Sequence, residues 1–147
     1  LMETDVSSGN MLMTCYTALG DSAAAQRQAQ ITVARAQKAL AQDPSNGAAM
    51  GFCCYALALL GQAESAKGWM SRALLIDPDN MNMRYNFACT LATQLKDADG
   101  AIALLGPLFE TRSVGLLNHS KADPDMDSLR GDPRFMSMVA AAEARLT

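Results

Sequence analysis

Two stretches of this chain repeat one another. "ALAQDPSN" (39–46) lies over "ALLIDPDN" (73–80), so that Ala39 matches Ala73, Leu40 matches Leu74, Asp43 matches Asp77 and Pro44 matches Pro78, each at an offset of 34 residues. A fixed period of this size marks a chain assembled from a repeated supersecondary unit, whose copies bury a shared core by stacking. Each copy ends in Asp-Pro, and proline stops a helix from continuing.

The unit between the two prolines, Gly47 to Asn80, is the clearest. Its first half, "NGAAMGFCCYALALLG", is apolar and rich in small residues and ends at Gly61. Its second half, "QAESAKGWMSRALLIDP", sets Ala66, Met70, Ala73 and Leu74 at spacings of four, three and one, which is one face of an amphipathic helix. Small side chains at Ala66 and Ala73 let two helices approach closely, and Gly61 has the backbone freedom for the tight turn between them. No convincing strand pattern occurs. The expected class is all-α.

These residues resemble the tetratricopeptide repeat (TPR) family, whose period is 34 residues. On its pattern Gly61, Ala66, Ala73 and Pro78 hold the turn, the two small packing positions and the closing proline. Cys53, Cys54, Leu57 and Met50 stand in for the usual Leu, Gly or Ala, Tyr and Trp. The resemblance implies an antiparallel helix-turn-helix superhelix, an α-α solenoid, with units at about 6–44, 47–80 and 81–110.

The first unit places Leu12, Tyr16 and Gly20 at the Leu, Tyr and turn positions. From Gly20 to Pro44 is 24 residues, against 17 from Gly61 to Pro78. The surplus of seven is about two helical turns. It falls in "SAAAQRQAQITVARAQKALAQ", which has strong helix formers and neither Gly nor Pro, and so predicts an overlong second helix. In the third unit Tyr85, Phe87, Ala88 and Leu91 suit the first helix, and Ala101 and Leu105 the second. One residue is inserted near Lys96, and Pro107 predicts a kink or an early break. The remainder, 111–147, reads as a linker and a capping helix. There Asp132 caps the start, Pro133 takes the first helical position, and Phe135, Met138, Val139, Ala142 and Leu146 form the apolar stripe.

With 147 residues, half of them hydrophobic and 18% charged, the chain can fill one core-bearing domain. The net charge of −3 and the lack of any basic block of five argue against nucleic acid or an anionic membrane as partner. No apolar run approaches the roughly 20 residues of a spanning helix. The N-terminus lacks the basic start and apolar centre of a signal peptide. It begins with Leu and reads as a piece of a longer protein. A cytoplasmic setting is expected. The four cysteines, Cys15, Cys53, Cys54 and Cys89, read as buried reduced thiols, since none forms C-x-x-C and His119 is the single histidine.

Catalytic signatures are missing: there is no phosphate-binding glycine loop, nucleophile elbow or H-E-x-x-H. A Cys–His enzyme built on His119 is the remote alternative. A non-catalytic interaction module is the leading reading, and a structural or dimerising spacer, forming a homodimer, is the second. No cofactor is expected. The family resemblance implies a concave groove lined by the first helices of successive units. By position that groove takes Asn10, Thr14 and Thr17, then Ala48, Gly51, Tyr55, Ala58 and Leu59, then Asn82, Tyr85, Asn86 and Cys89. Tyr55 and Tyr85 are the natural anchors for a bound protein or peptide segment, with solvent-edge packing as their other reading. Asn82 and Asn86, four apart, share a helix face from which to hydrogen-bond a peptide backbone. The basic groove with which some family members grip a terminal carboxylate is not matched. Trp69 reads as packing toward a neighbouring unit, and Arg27, Arg35, Lys38, Lys67 and Arg72 as a solvated face.

The tail "LLNHSKADPDMDSLRGDPRFMSMV" resembles the end of the repeat regions that close certain multidomain bacterial signalling proteins, class III adenylate or guanylate cyclases above all. The match implies a partner upstream in the same chain, a catalytic domain that this module would regulate. The tail also alternates Asp123, Asp125 and Asp127 like the first three ligands of a calcium loop. The sixth position of such a loop should be Gly and is Ser128, and the twelfth should be Glu and is Arg134. The aspartates therefore read as turn formers: Asp125 or Asp127 caps a short turn, Met126 and Leu129 point inward, and Gly131 closes it.

Overall fold

The computed structural model describes residues 5–146 and is helical throughout, with no strand among them. The chain divides into two compact units, one up to Asn80 and one from Met81. No helix among the described residues is long and apolar enough to cross a membrane.

The first unit holds α1 (Ser7–Ala18), α2 (Ser22–Gln42), α3 (Gly47–Leu59) and α4 (Ala63–Ile76), and each packs against the next. Helices α2 and α3 begin where side chains satisfy their free amides. Asp21 accepts from the Ala24 amide and Asn46 from the Ala49 amide, both at 2.9 Å, caps worth about 1 kcal/mol each. Between the paired helices the backbone turns left-handed at glycine, Gly20 at φ 74° and Gly61 at φ 73°, where a Cβ would be strained. Each turn closes with the same long return bond, Asp21 N–H to Tyr16 C=O and Gln62 N–H to Leu57 C=O, both 2.9 Å. At 21 residues, α2 exceeds the 14 of α4 by the seven expected. Ala66 and Ala73 are buried between α3 and α4.

Two expectations fail at the start of the chain. Leu12 is 39% exposed, and Met13 takes the core position at 0%, packed with Ala29 and Ala56. Cys15 is exposed, not buried like Cys53 and Cys54. Helix α1 packs on α2 and α3, so the face carrying Met11, Leu12 and Cys15 points away from that core. At the α1–α2 contact, Gly9 lies directly over Thr32, and a Cβ there would collide with Thr32 Oγ1.

The second unit holds α5 (Met81–Thr93), α6 (Ala98–Glu110), α7 (Val114–Ala122), a 3-10 turn (Pro124–Leu129) and α8 (Pro133–Leu146). The α5–α6 turn reaches positive φ at Lys96 (55°), where no glycine stands. Its return bond, Asp97 N–H to Leu91 C=O at 2.9 Å, spans one residue more than the two earlier turns, which is the insertion read from the sequence. Helix α6 does not break early at Pro107. It runs three residues further to Glu110, its last turn held by buried Leu108 and Phe109. Helix α8 lies on α6 and α7. Phe135 meets Phe109 edge to face at 5.9 Å, Arg145 donates to the Phe109 carbonyl at 2.9 Å, and Ala142 is buried. Met138, Val139 and Leu146 are half-buried, so the stripe covers its neighbour as a lid does.

Candidate functional site

Helix α5 carries Tyr85 and Cys89 one turn apart, hence on one face. Helix α7 ends at Ala122, and Asp123 serves both as its C-cap and as the N-cap of the 3-10 turn. That turn packs on α5, with Met126 and Leu129 fully buried. Burying these two side chains commits the aspartates between them and α7 to the α5 face. The proline at 124 suits the first position of the turn, having no amide to satisfy.

Asp123 is the hub. Its Oδ1 accepts the Asp125 amide at 2.9 Å, and its Oδ2 accepts the Tyr85 hydroxyl at 2.7 Å. His119 Nε2 stands 3.5 Å from the same Oδ2, and its ring is tilted against that of Tyr85 with centroids 5.2 Å apart. Arg130 braces the loop from behind, donating to the Asp123 carbonyl at 2.8 Å and to Asp127 at 2.7 Å. Thus Asp127, the third of the alternating aspartates, turns away to an exposed ion pair. The cap of the turn is Asp123, and neither Asp125 nor Asp127 takes that role. Gly131 is not among the residues at positive φ.

Among the described residues, Cys89, Asp123 and Asp125 each offer a donor atom within 4.8 Å of the other two. The electrostatics are those of concentrated negative charge. Burial raises the Cys89 thiol well above its ordinary range, and the charges of Asp125 and Asp123 add to the shift. Burial and its hydrogen bond to Asp123 raise the Tyr85 phenol likewise. Desolvation and the neighbouring Asp123 raise the Asp125 carboxyl, and a hydrogen bond from Cys89 opposes them. A nucleophilic cysteine needs the reverse, a positive neighbour that favours the thiolate. The histidine is engaged with Asp123.

The residues expected to line a groove are dispersed between the two units. In the first, Asn10 is half-buried and Thr14 exposed, its hydroxyl donated to the Asn10 carbonyl at 3.1 Å. Tyr55 and Leu59 are half-buried against the Met13–Ala29–Ala56 core. In the second, Asn82 and Asn86 are exposed. Tyr85 departs from its expected role: it is 6% exposed and its hydroxyl is engaged with Asp123, so it offers no free anchor. Trp69 is half-buried beneath the Arg72 guanidinium, 5.2 Å from the ring centre, so Arg72 is not merely solvated.

What the sequence reading missed is the meeting of Cys89 with the aspartates. The signals were present as two short pairs, Tyr85/Cys89 and Asp123/Asp125, but no spacing rule joins residues 34 positions apart on different helices. Comparison with protein-family models, with curated proteins and with solved structures finds no match for this chain.

Proposed function

We propose that this chain is a TPR-like helical repeat that binds a protein or peptide segment without catalysing a reaction. The observation that supports it is the recurrence of one turn. The α1–α2 and α3–α4 turns share the positive-φ glycine and the same return hydrogen bond, and the α5–α6 turn repeats the design with one residue added. Such recurrence is the local signature of a solenoid unit, and solenoids commonly work through extended binding surfaces. In this reading Asn10, Thr14, Tyr55 and Leu59 offer contacts on the first unit, Asn82 and Asn86 offer contacts on the second, and Tyr85 holds the fold. The parent is a multidomain bacterial signalling protein of the cyclase type, and its own upstream domain is the first partner to test.

The test is a peptide-library selection against residues 1–147, followed by binding of selected peptides to Tyr55→Ala and Asn86→Ala. A tenfold or greater loss, with the melting temperature retained, supports the surface. Unchanged binding in both variants refutes it. In parallel, deleting the module from its parent should change output, localisation or assembly.

A second reading, a dimerising spacer, has its own observation: Met11 and Leu19 on or just after α1 are 68% and 79% exposed. Exposed apolar surface of this kind marks contact sites when contiguous. Gel filtration with light scattering separates the readings, because a tight dimer lost in Met11→Lys favours the spacer.

A further inference from the structure

The Cys89–Asp123–Asp125 group has the makings of a ligand set. Its donors come from helix α5, the end of α7 and the 3-10 turn, and they converge although 34 or more residues separate the thiol from the carboxylates. The carboxylate of Asp123 is held in place by the Tyr85 hydroxyl and the Asp125 amide, and His119 Nε2 stands 3.5 Å away. Metal ligands are characteristically oriented by such outer partners. Tyr85 is more than nine-tenths buried and directs its hydroxyl into the group. Two carboxylates and a thiol packed together also carry a negative charge that a bound cation would offset.

The donor types choose the ion. Calcium takes six to eight oxygens, and magnesium prefers oxygen and retains its waters. A sulfur with two carboxylate oxygens suits zinc, which accepts three protein ligands and leaves the fourth position open. Zinc–sulfur bonds of about 2.3 Å and zinc–oxygen bonds of about 2.0–2.2 Å place tetrahedral donors about 3.3–3.8 Å apart. A group already within 4.8 Å reaches that spacing by small side-chain rotations.

We propose that Cys89, Asp123 and Asp125 bind one thiophilic divalent cation of the zinc type. On binding, the Cys89 thiol releases its proton to solvent and the sulfur donates its electron pair to the metal. Tyr85 is a positioning residue that acts through Asp123. The site is independent of what the helical array binds.

The test uses the full chain carrying Cys15→Ser, which removes the exposed thiol. Cobalt(II), as spectroscopic stand-in, is titrated under reducing conditions. The expected result is a thiolate-to-cobalt charge-transfer band that saturates at one equivalent. Zinc abolishes it, and a hundredfold excess of calcium leaves it in place. Cys89→Ser removes the band, and Asp125→Asn weakens binding at least tenfold. Asp125 is exposed, so this second variant decides the matter where Cys89→Ser fails to fold. Absence of the band, its persistence in Cys89→Ser, displacement by calcium, or unchanged affinity in Asp125→Asn would each overturn the proposal.

Discussion

The hydroxyl of Tyr85 donates to the carboxylate of Asp123 across 2.7 Å, joining residues 38 apart in the chain. This bond ties the middle of α5 to the junction of α7 and the 3-10 turn. A hydrogen bond to a charged acceptor contributes about 1.5–3 kcal/mol, and less where water competes. Tyr85→Phe should therefore lower stability by about 1–2 kcal/mol, measured by urea unfolding. It should also leave Asp123 freer to move, visible as broadened amide signals at Asp123 and Asp125. An unchanged midpoint would show that the bond contributes nothing net.

Thr32 Oγ1 is buried without a hydrogen-bond partner among the described residues, under Gly9. Replacing the hydroxyl by a methyl of similar size removes an unsatisfied polar atom, whose cost is about 1–3 kcal/mol. Thr32→Val is expected to raise stability by about 1 kcal/mol. Gly9→Ala should destabilise by about 1–3 kcal/mol, the usual penalty of overpacking, and most of that loss should vanish in Gly9→Ala/Thr32→Ala. Additive effects in this double-mutant cycle would contradict the contact.

The thiols should react in an order set by exposure and burial. Cys15 is exposed, burial raises Cys53 to about 11, and burial together with the neighbouring Cys53 carries Cys54 higher still. At pH 8 the native chain is expected to consume one equivalent of a thiol reagent rapidly, mapped by peptide mass spectrometry to Cys15. Rapid labelling of Cys53 would mean that α3 is not buried as described.

Phe135 is 3% exposed and packs edge to face on Phe109. Truncating a buried aromatic costs about 3–5 kcal/mol. Phe135→Ala should therefore release α8 from α6, seen as rapid hydrogen exchange across 133–146 while α1–α4 remain protected. Equal loss of protection throughout the chain would show that the lid is not a local element.

Beside Arg134, hydrogen bonds from its guanidinium and amide hold the Asp132 carboxyl down at about 2. A carboxylate depressed in the folded state adds stability that is complete above its unfolded pKa near 4 and is lost as pH falls toward 2. In a carbon-detected titration Asp132 should ionise about two units below an ordinary aspartate. Arg134→Gln removes the guanidinium and keeps the backbone amide, so it should return the midpoint only part of the way, and a normal midpoint in the unmodified chain would deny the pairing.

Much of the fold was legible because helix boundaries are local. Gly20 and Gly61 turn, and Pro44 and Pro78 stop, all within a few residues of where they act. The long second helix could be counted from the distance between Gly20 and Pro44. Even the inserted residue near Lys96 was visible as a break in spacing, and it returns as a turn one residue wider.

Tertiary packing decided the rest. The same pattern that marked Leu12 as a core residue could not register that Met13 faces α2 and α3 instead. The rule that proline breaks a helix could not foresee that buried Leu108 and Phe109 carry α6 past Pro107. Tyr85 fitted a binding surface by position, and its burial against Asp123 depends on where α7 ends in space. Periodicity reports which way a side chain points along its own helix. It carries no information about which distant residue arrives there, and Cys89 meets Asp123 and Asp125 only because Met126 and Leu129 press their turn onto α5.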